Sequence, residues 1–128
     1  MNEPPPGTMA WRAKRELHMV NGIADILARK VELLETMIRE FTSTAANLAR
    51  DIAIEEERTR IKEPTHVAYS TLAKALAVRR DNLLMSAADA ETRLLEARRE
   101  LDEARARAIA AGVTEDFEQA GSSAPRAA

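Results

Sequence analysis

Apolar residues recur at alternating spacings of three and four along the first half of the chain. The members of this stripe are Val20, Ile23, Leu27, Val31, Leu34, Ile38, Phe41, Ala45, Leu48 and Ile52. Such a heptad pattern keeps one side of a helix facing a partner helix. The two steps of four from Ile23 through Leu27 to Val31 form a stutter, which predicts a locally relaxed supercoil. The pattern predicts one long helix over residues 9–61.

A second stripe runs through the other half of the chain. Its positions are Ala73, Leu76, Arg80, Leu83, Ala87, Ala90, Leu94, Ala97, Leu101, Ala104 and Ala108, and only Arg80 is polar. The stripe predicts a second long helix, rich in alanine on its apolar side. Gly112 predicts the end of this helix, because glycine favours the left-handed conformation of a C-terminal cap.

Between the stripes, residues 61–71 contain the one strong helix breaker of the central region. Pro64 lacks an amide hydrogen and disfavours helical backbone at Glu63. Ser70 or Thr71 is expected to cap the second helix through its hydroxyl. The segment 62–70 is therefore predicted to be a turn between two antiparallel helices.

Folding the chain about this turn pairs residues whose numbers add to about 132. Phe41 then faces Ala90 and Leu34 faces Ala97, so large side chains oppose small ones, as close packing requires. A parallel dimer of the second helix would stack alanine on alanine instead, which favours pairing within one chain. At this register Arg80 is expected to reach Glu55 and Glu56.

The predicted fold class is all-α, with two long helices forming an antiparallel coiled-coil hairpin and disordered termini. The predicted divisions are a disordered leader over residues 1–8, the hairpin over 9–111 and a flexible tail over 112–128. Pro4, Pro5 and Pro6 favour extended backbone in the leader. Thr8 is the predicted cap of the first helix.

Composition supports helices and argues against several functional classes. Charged residues make up 31% of the chain and aromatic residues 3%, as is common in coiled coils. The formal net charge is -2, and acids interleave the arginines of the second helix, so no nucleic-acid partner is expected. No apolar run approaches the roughly 20 residues of a membrane-spanning helix, and the start of the chain does not resemble a signal peptide. A cytoplasmic location is expected.

No catalytic or metal-binding motif is present in the sequence. The chain has no cysteine, no glycine-rich phosphate loop and no HExxH spacing. His18 and His66 are predicted to lie too far apart to share a metal ion. The sequence therefore predicts a protein that is not an enzyme and that needs no cofactor and no metal.

Two groups of residues are candidates for partner binding. Near the start of the first helix, Trp11 lies beside Arg12, Lys14 and Arg15. This group suits contact with phosphate or lipid, but a docking helix or solvated charge is the favoured interpretation. Near the turn, the candidates are His66, Tyr69, Leu72 and Arg79. Together with Val67, the residues Tyr69 and Leu72 are expected either to cap the hairpin or to form an exposed anchor for a partner.

Four segments between residues 31 and 107 resemble the flagellar export protein FliJ family, in its alphaproteobacterial type. They are Met37-Ile38-Arg39-Glu40-Phe41, the run from Asp51 to Thr59, the run from Pro64 to Thr71, and Arg79-Arg80-Asp81-Asn82-Leu83. The turn resembles the family pattern Asp-Pro-x-His-Phe-Ala-Tyr-Pro-Thr. A family glycine before the turn is Arg60 here, the phenylalanine is Val67 and the second proline is Ser70.

The resemblance implies a non-enzymatic component of the flagellar type III protein export apparatus. Its partners would be a hexameric flagellar export ATPase, an export gate membrane protein and the export chaperones. The protein would act as a coiled-coil stalk and escort, held at the cytoplasmic face of the cell membrane only through those partners. Trp11, Arg12, Lys14 and Arg15 would face the ATPase ring, and Tyr69 and Leu72 the gate or chaperones. The alternative is a free-standing coiled-coil adaptor or chaperone that self-associates through its second helix.

Overall fold

Two long α-helices pack against each other in the structure, a computed structural model that describes residues 3–123 and the side chains of residues 3–112. Helix α1 spans Met9–Thr59 and helix α2 spans Thr71–Ser123. Within residues 3–123 there is no strand. The all-α class and the pairing of two long helices are thus confirmed.

The start of α1 is fixed by a turn and a cap. The amide of Thr8 donates to the carbonyl of Pro5 at 3.3 Å, and Gly7 has a φ of 83°, as glycine does at the third position of a type II turn. The hydroxyl of Thr8 accepts from the amide of Trp11 at 3.2 Å, which confirms the predicted cap. Disorder of the leader stays a prediction; within it, residues 5–8 form this turn.

The connection between the helices covers residues 60–70, two residues more than the predicted turn. Helix α1 ends at Thr59 because Arg60 adopts the left-handed conformation, with a φ of 63°. At the other end, the Ser70 hydroxyl accepts from the amide of Ala73 at 3.1 Å. Ser70 is therefore the cap of α2, which confirms one of the two predicted candidates.

Replacing Arg60 with glycine is expected to stabilise the hairpin. A side chain at a left-handed position crowds the following carbonyl, and glycine avoids that cost. The substitution also removes only an exposed ion pair, which Arg60 forms with Glu57 at 3.4 Å. We expect Arg60→Gly to raise the free energy of unfolding by about 0.5 to 1 kcal/mol, measured by urea unfolding. Glu57→Gly, inside the helix, is the control and should lower it by about 1 kcal/mol.

The buried side of α1 follows an unbroken heptad pattern, without the predicted stutter. The buried positions, together with the half-buried ones that continue the same spacing, are Ala13, Leu17, Val20, Ala24, Leu27, Val31, Leu34, Ile38, Phe41, Ala45, Leu48, Ile52, Glu55 and Thr59. Ala24 takes the place predicted for Ile23, which is 43% exposed. The prediction chose the larger apolar residue, whereas the regular alternation of three and four selects its neighbour.

The chain divides into two compact units, each built from a part of both helices. The first unit combines residues up to Val31 with those from Glu96 onward. In it, Ala13 and Val20 of α1 are buried, as are Leu101 and Ala104 of α2. A Cβ added to Gly112 would lie 3.9 Å from Cδ1 of Leu17, which places these two residues side by side.

The second unit is Glu32–Leu95 and includes the connection. Its α2 residues Ala73, Ala87, Ala90 and Leu94 are buried, as the second stripe predicts. Beside the connection, Ile52, Tyr69 and Ala73 form a buried cluster, and Ile61, Leu76 and Ala77 pack against it.

The register of the helices differs by a few residues from the prediction. The numbers of the neighbours Leu17 and Gly112 add to 129, against the predicted sum of about 132. The earlier end of α1 shifts the centre of the connection toward the N-terminus, which accounts for the direction of this offset. The pairing of Phe41 with Ala90 stays a prediction.

The predicted helix end at Gly112 is wrong, because α2 continues to Ser123. Glycine inside a helix costs about 1 kcal/mol relative to alanine and does not forbid the helix. At Gly112 the absence of a side chain also leaves room beside Leu17. Of the predicted tail, residues 113–123 are therefore helical in backbone, and residues 124–128 lie outside the described residues.

Candidate functional site

A hydrogen-bonded carboxylate joins the end of α1 to the start of α2. Glu55 occupies a position of the buried stripe and is 8% exposed. Its Oε1 accepts from Arg58 Nη2 at 2.6 Å and from the Ser70 hydroxyl at 2.8 Å, and its Oε2 accepts from Arg58 Nε at 3.0 Å. Since the Ser70 oxygen also accepts from the amide of Ala73, one carboxylate orients the cap of the other helix.

A second carboxylate holds the only tyrosine of the sequence. The hydroxyl of Tyr69 donates to Oε2 of Glu56 at 3.0 Å, and the tyrosine is 7% exposed. Burial, and then this hydrogen bond, raise the pKa of Tyr69. The side chain of Tyr69 is therefore buried inside the hairpin. Of the two interpretations of this residue, the structure favours the cap over the exposed anchor.

The pKa of Glu55 is lowered from 4.5 to about 2, first by the hydrogen bond from Arg58 and then by that from Ser70. Because the folded state holds this proton less tightly than the unfolded state, Glu55 stabilises the fold above pH 4.5, and this stabilisation is lost as the pH falls toward 2. We expect the melting temperature to fall through this window, measured by circular dichroism. Glu55→Gln should flatten the fall, whereas Glu57→Gln, on an exposed carboxylate, should leave it unchanged.

Arg80 forms no hydrogen bond or ion pair with Glu55 or Glu56, contrary to the prediction. Its Nε donates to Oδ1 of Asp81 at 3.0 Å, and the side chain is one third exposed. Glu55 is already paired by Arg58 from the same helix and by Ser70, and Glu56 by Tyr69. Arg58, three residues along the same helix, and Ser70 satisfy Glu55, and Tyr69 satisfies Glu56, so neither carboxylate needs Arg80 as a partner.

His66 organises the turn through three hydrogen bonds. Its amide donates to the carbonyl of Glu63 and its carbonyl accepts from the amide of Tyr69, each at 3.0 Å. Its Nδ1 accepts from the amide of Ala68 at 2.9 Å. The side chain is exposed, so the ring supports the loop while Nε2 remains available to solvent or a partner.

The remaining candidates of the second unit present exposed surface. Leu72 and Arg79 are exposed, and so is Val67, which is the most exposed large apolar side chain of the described residues. Near them, an open groove of about 390 Å³ is lined by residues of both helices and the connection, including Ile52, Pro64, Tyr69 and Val78. The groove combines these apolar residues with the charged Glu56, Lys74 and Arg80, which suits a side chain of a protein partner.

The partner-binding candidates of the first unit lie near the N-terminus of α1 and include three cations. Arg12, Lys14 and Arg15 are exposed, and Trp11 is half-buried. The guanidinium of Arg15 lies 5.2 Å from the centre of the Trp11 ring, a cation–π contact. Trp11, Arg12, Arg15 and Met19 line an open groove of about 580 Å³ together with Glu16 and His18.

Sequence reasoning missed Glu55 as a buried, hydrogen-bonded position near the end of α1. The signal was available, because Glu55 follows Leu48 and Ile52 at spacings of four and three. An acid at such a position requires buried partners, and Arg58 lies at the favourable distance of three residues. The bond between Glu56 and Tyr69 had no comparable signal in the sequence.

The described residues contain no group of three or more histidine or acidic side chains that could hold a metal ion. Over the same residues, neither helix has a segment long and apolar enough to cross a membrane. In comparisons with known proteins, no family model, no curated protein and no solved structure matches the chain.

Proposed function

We propose that this protein is a non-enzymatic component of the flagellar type III export apparatus, a stalk and escort that binds the export ATPase ring. Through its other contacts it links the ring to the export gate and to substrate chaperones. It works at the cytoplasmic face of the membrane and is held there by these partners. It requires no cofactor, no metal and no nucleic acid.

The observation that supports this proposal most is the paired helices themselves. Two helices of 51 and 53 residues pack against each other around a short connection whose sequence resembles the tip of the FliJ family. Their shared apolar surface is used within the chain, and the candidate surfaces are exposed side chains on the helices and the turn. A protein of this kind acts by binding other proteins rather than by chemistry of its own.

The contact surfaces follow from the exposure of the candidate residues. Trp11, Arg12, Lys14 and Arg15 are the proposed contact with the ATPase ring. In the second unit, His66 of the connection and Leu72 and Arg79 of α2 are exposed and are the proposed contacts with the gate or the chaperones. Tyr69 is buried and contributes only as one of the residues that line the 390 Å³ groove.

The alternative, an adaptor that self-associates through α2, needs the alanine side of that helix to be free. The structure buries Ala73, Ala87, Ala90 and Ala97 of α2. Self-association would therefore require the two helices to separate first, which makes the adaptor the weaker proposal.

Co-purification with a hexamer-forming export ATPase tests the proposal. We expect the ATPase to bind this protein and its hydrolysis rate or ring assembly to increase. Changing Arg12, Lys14 and Arg15 together to glutamate should abolish the effect. The matched control changes the exposed Arg39, Arg50 and Arg93 to glutamate and should retain it. An unchanged ATPase beside a stable homodimer in light scattering would contradict the stalk and favour the adaptor.

A further inference from the structure

One side of α1 in the first unit is exposed, apolar at its centre and basic at its ends. It consists of Arg12, Arg15, Met19, Ile23, Ile26 and Lys30, and we call it the lateral face. At 3.6 residues per turn these six residues lie within an arc of about 80°. The centre of this arc is about 110° from the buried Ala13, Val20 and Val31, so the lateral face is distinct from the surface that packs on α2.

The apolar centre of this face has the spacing of a coiled-coil seam. Met19 and Ile26 are 61% and 66% exposed, and Ile23 lies between them because the regular register of α1 buries Ala24 instead. The spacings of four and three from Met19 to Ile26 and on to Lys30 keep these side chains in one line along a helix. At the N-terminal end, Arg12, Arg15 and Met19 border the groove of about 580 Å³.

The charges at the ends of this face define the kind of partner. Arg12 and Lys30 are exposed, and neither forms an ion pair within the part of the chain that the structure describes. Arg15 has its cation–π contact with Trp11. Glu16 lines the groove beside Arg12 and Arg15, and Glu3 lies near Arg15 on the side of Lys14 and His18. A complementary surface carries carboxylates opposite the two ends and apolar side chains between them.

A second copy of the chain does not meet this requirement through the same face. In an antiparallel pair, Arg12 of one copy would oppose Lys30 of the other, and in a parallel pair each cation would oppose itself. Both arrangements place like charges together, which is destabilising.

A lipid surface also fits less well than a helix. Helices that lie on membranes carry their cations on the polar side, opposite a broad apolar side. Here the cations are in line with the apolar residues, and the stripe is narrow, as in a seam for one partner helix.

We propose that the lateral face binds an amphipathic helix of another protein, with an apolar stripe at heptad spacing and acidic residues at both ends of that stripe. The bound helix would become the third helix of the first unit. This inference goes beyond the proposed function and does not depend on a flagellar partner.

Two synthetic helical peptides test the proposal on the full-length protein. Both carry the same three heptads of leucine and isoleucine, one with glutamates at the ends of the stripe and the other with lysines. Binding is measured by calorimetry and by the emission of Trp11, the one tryptophan of the sequence. We expect the acidic peptide to bind about tenfold or more tightly than the basic one. Equal binding of both peptides, or binding of neither, would overturn the proposal.

Charge reversal on the protein provides the second measurement. The double variant Arg12→Glu with Lys30→Glu should invert the preference between the peptides. The matched control, Lys14→Glu with Arg29→Glu, changes the net charge equally at exposed positions off the lateral face and should keep the original preference. If both double variants invert it, the preference reflects net charge only and the proposal fails.

Two further measurements test the other occupants. Tight binding to phosphatidylglycerol vesicles without binding to the acidic peptide would identify a lipid surface instead. A homodimer that Ile26→Ser dissociates would identify a second copy. The peptide experiment contains no ATPase, so its failure leaves the export proposal intact, and a failed ATPase experiment leaves the lateral face untouched.

Discussion

Ile52→Ala is expected to lower the free energy of unfolding by about 2 to 4 kcal/mol. Ile52 is 6% exposed and contacts the buried Tyr69 and Ala73 next to the connection. Removing three carbons there loses transfer free energy and leaves a cavity between the two helices, because neighbouring side chains relax only partly. The measurement is urea unfolding followed by circular dichroism.

The matched control for this prediction lies two residues further along the same helix. Ile54 is 67% exposed. Ile54→Ala should change the free energy of unfolding by less than about 0.5 kcal/mol, since alanine is also the better helix former. Equal destabilisation by the two substitutions would contradict the assignment of the buried side of α1.

Ala73→Leu is expected to destabilise the protein by about 1 to 3 kcal/mol. Ala73, in the first turn of α2, has no exposed surface and packs in one cluster with Ile52 and Tyr69. A leucine there needs volume that Ile52 and Tyr69 already occupy, so the helices must separate locally. The effect tests whether small residues of α2 are required opposite large residues of α1.

The corresponding control is Ala75→Leu, at an exposed position of the same helix. It should alter the midpoint of thermal unfolding only slightly, because the added side chain remains in solvent. If Ala73→Leu were tolerated as well as Ala75→Leu, the close packing described at the connection would be wrong.

The paired helices could be predicted because their signal is repeated many times along the chain. Each apolar position of the stripes adds to the same period, and Pro64 excludes helix at one place only. The two caps, Thr8 and Ser70, were also predictable, since serine and threonine accept from free amides at helix starts.

The predictions that were wrong required a choice between alternatives that the sequence does not separate. Ile23 is the more apolar residue, yet Ala24 keeps the period, and hydrophobicity alone does not decide between them. Gly112 costs the helix only about 1 kcal/mol relative to alanine, so the surrounding residues determine whether the helix continues. Arg80 could reach several acids, and only the geometry of the connection shows that Glu55 and Glu56 are already satisfied.

The partner-binding candidates were predicted from residue type, and the structure separates those that are exposed from the one that is buried. Arg12, Lys14, Arg15, Leu72 and Arg79 present surface, whereas Tyr69 is enclosed. The sequence alone does not indicate whether the side chain of a tyrosine in a turn is buried or exposed. The bond to Glu56, thirteen residues earlier, determines this orientation.

Cross-linking across the helices tests the antiparallel pairing within one chain most directly. The sequence has no cysteine, so Leu17→Cys with Gly112→Cys places one thiol on each helix at neighbouring positions. A short bis-maleimide should link these thiols within a single molecule at high dilution. The control pairs Leu17→Cys with Glu96→Cys. Glu96 lies about 24 Å from Gly112 toward the start of α2, so this pair should give no link. Links formed only between two molecules, or equally in both pairs, would contradict the hairpin.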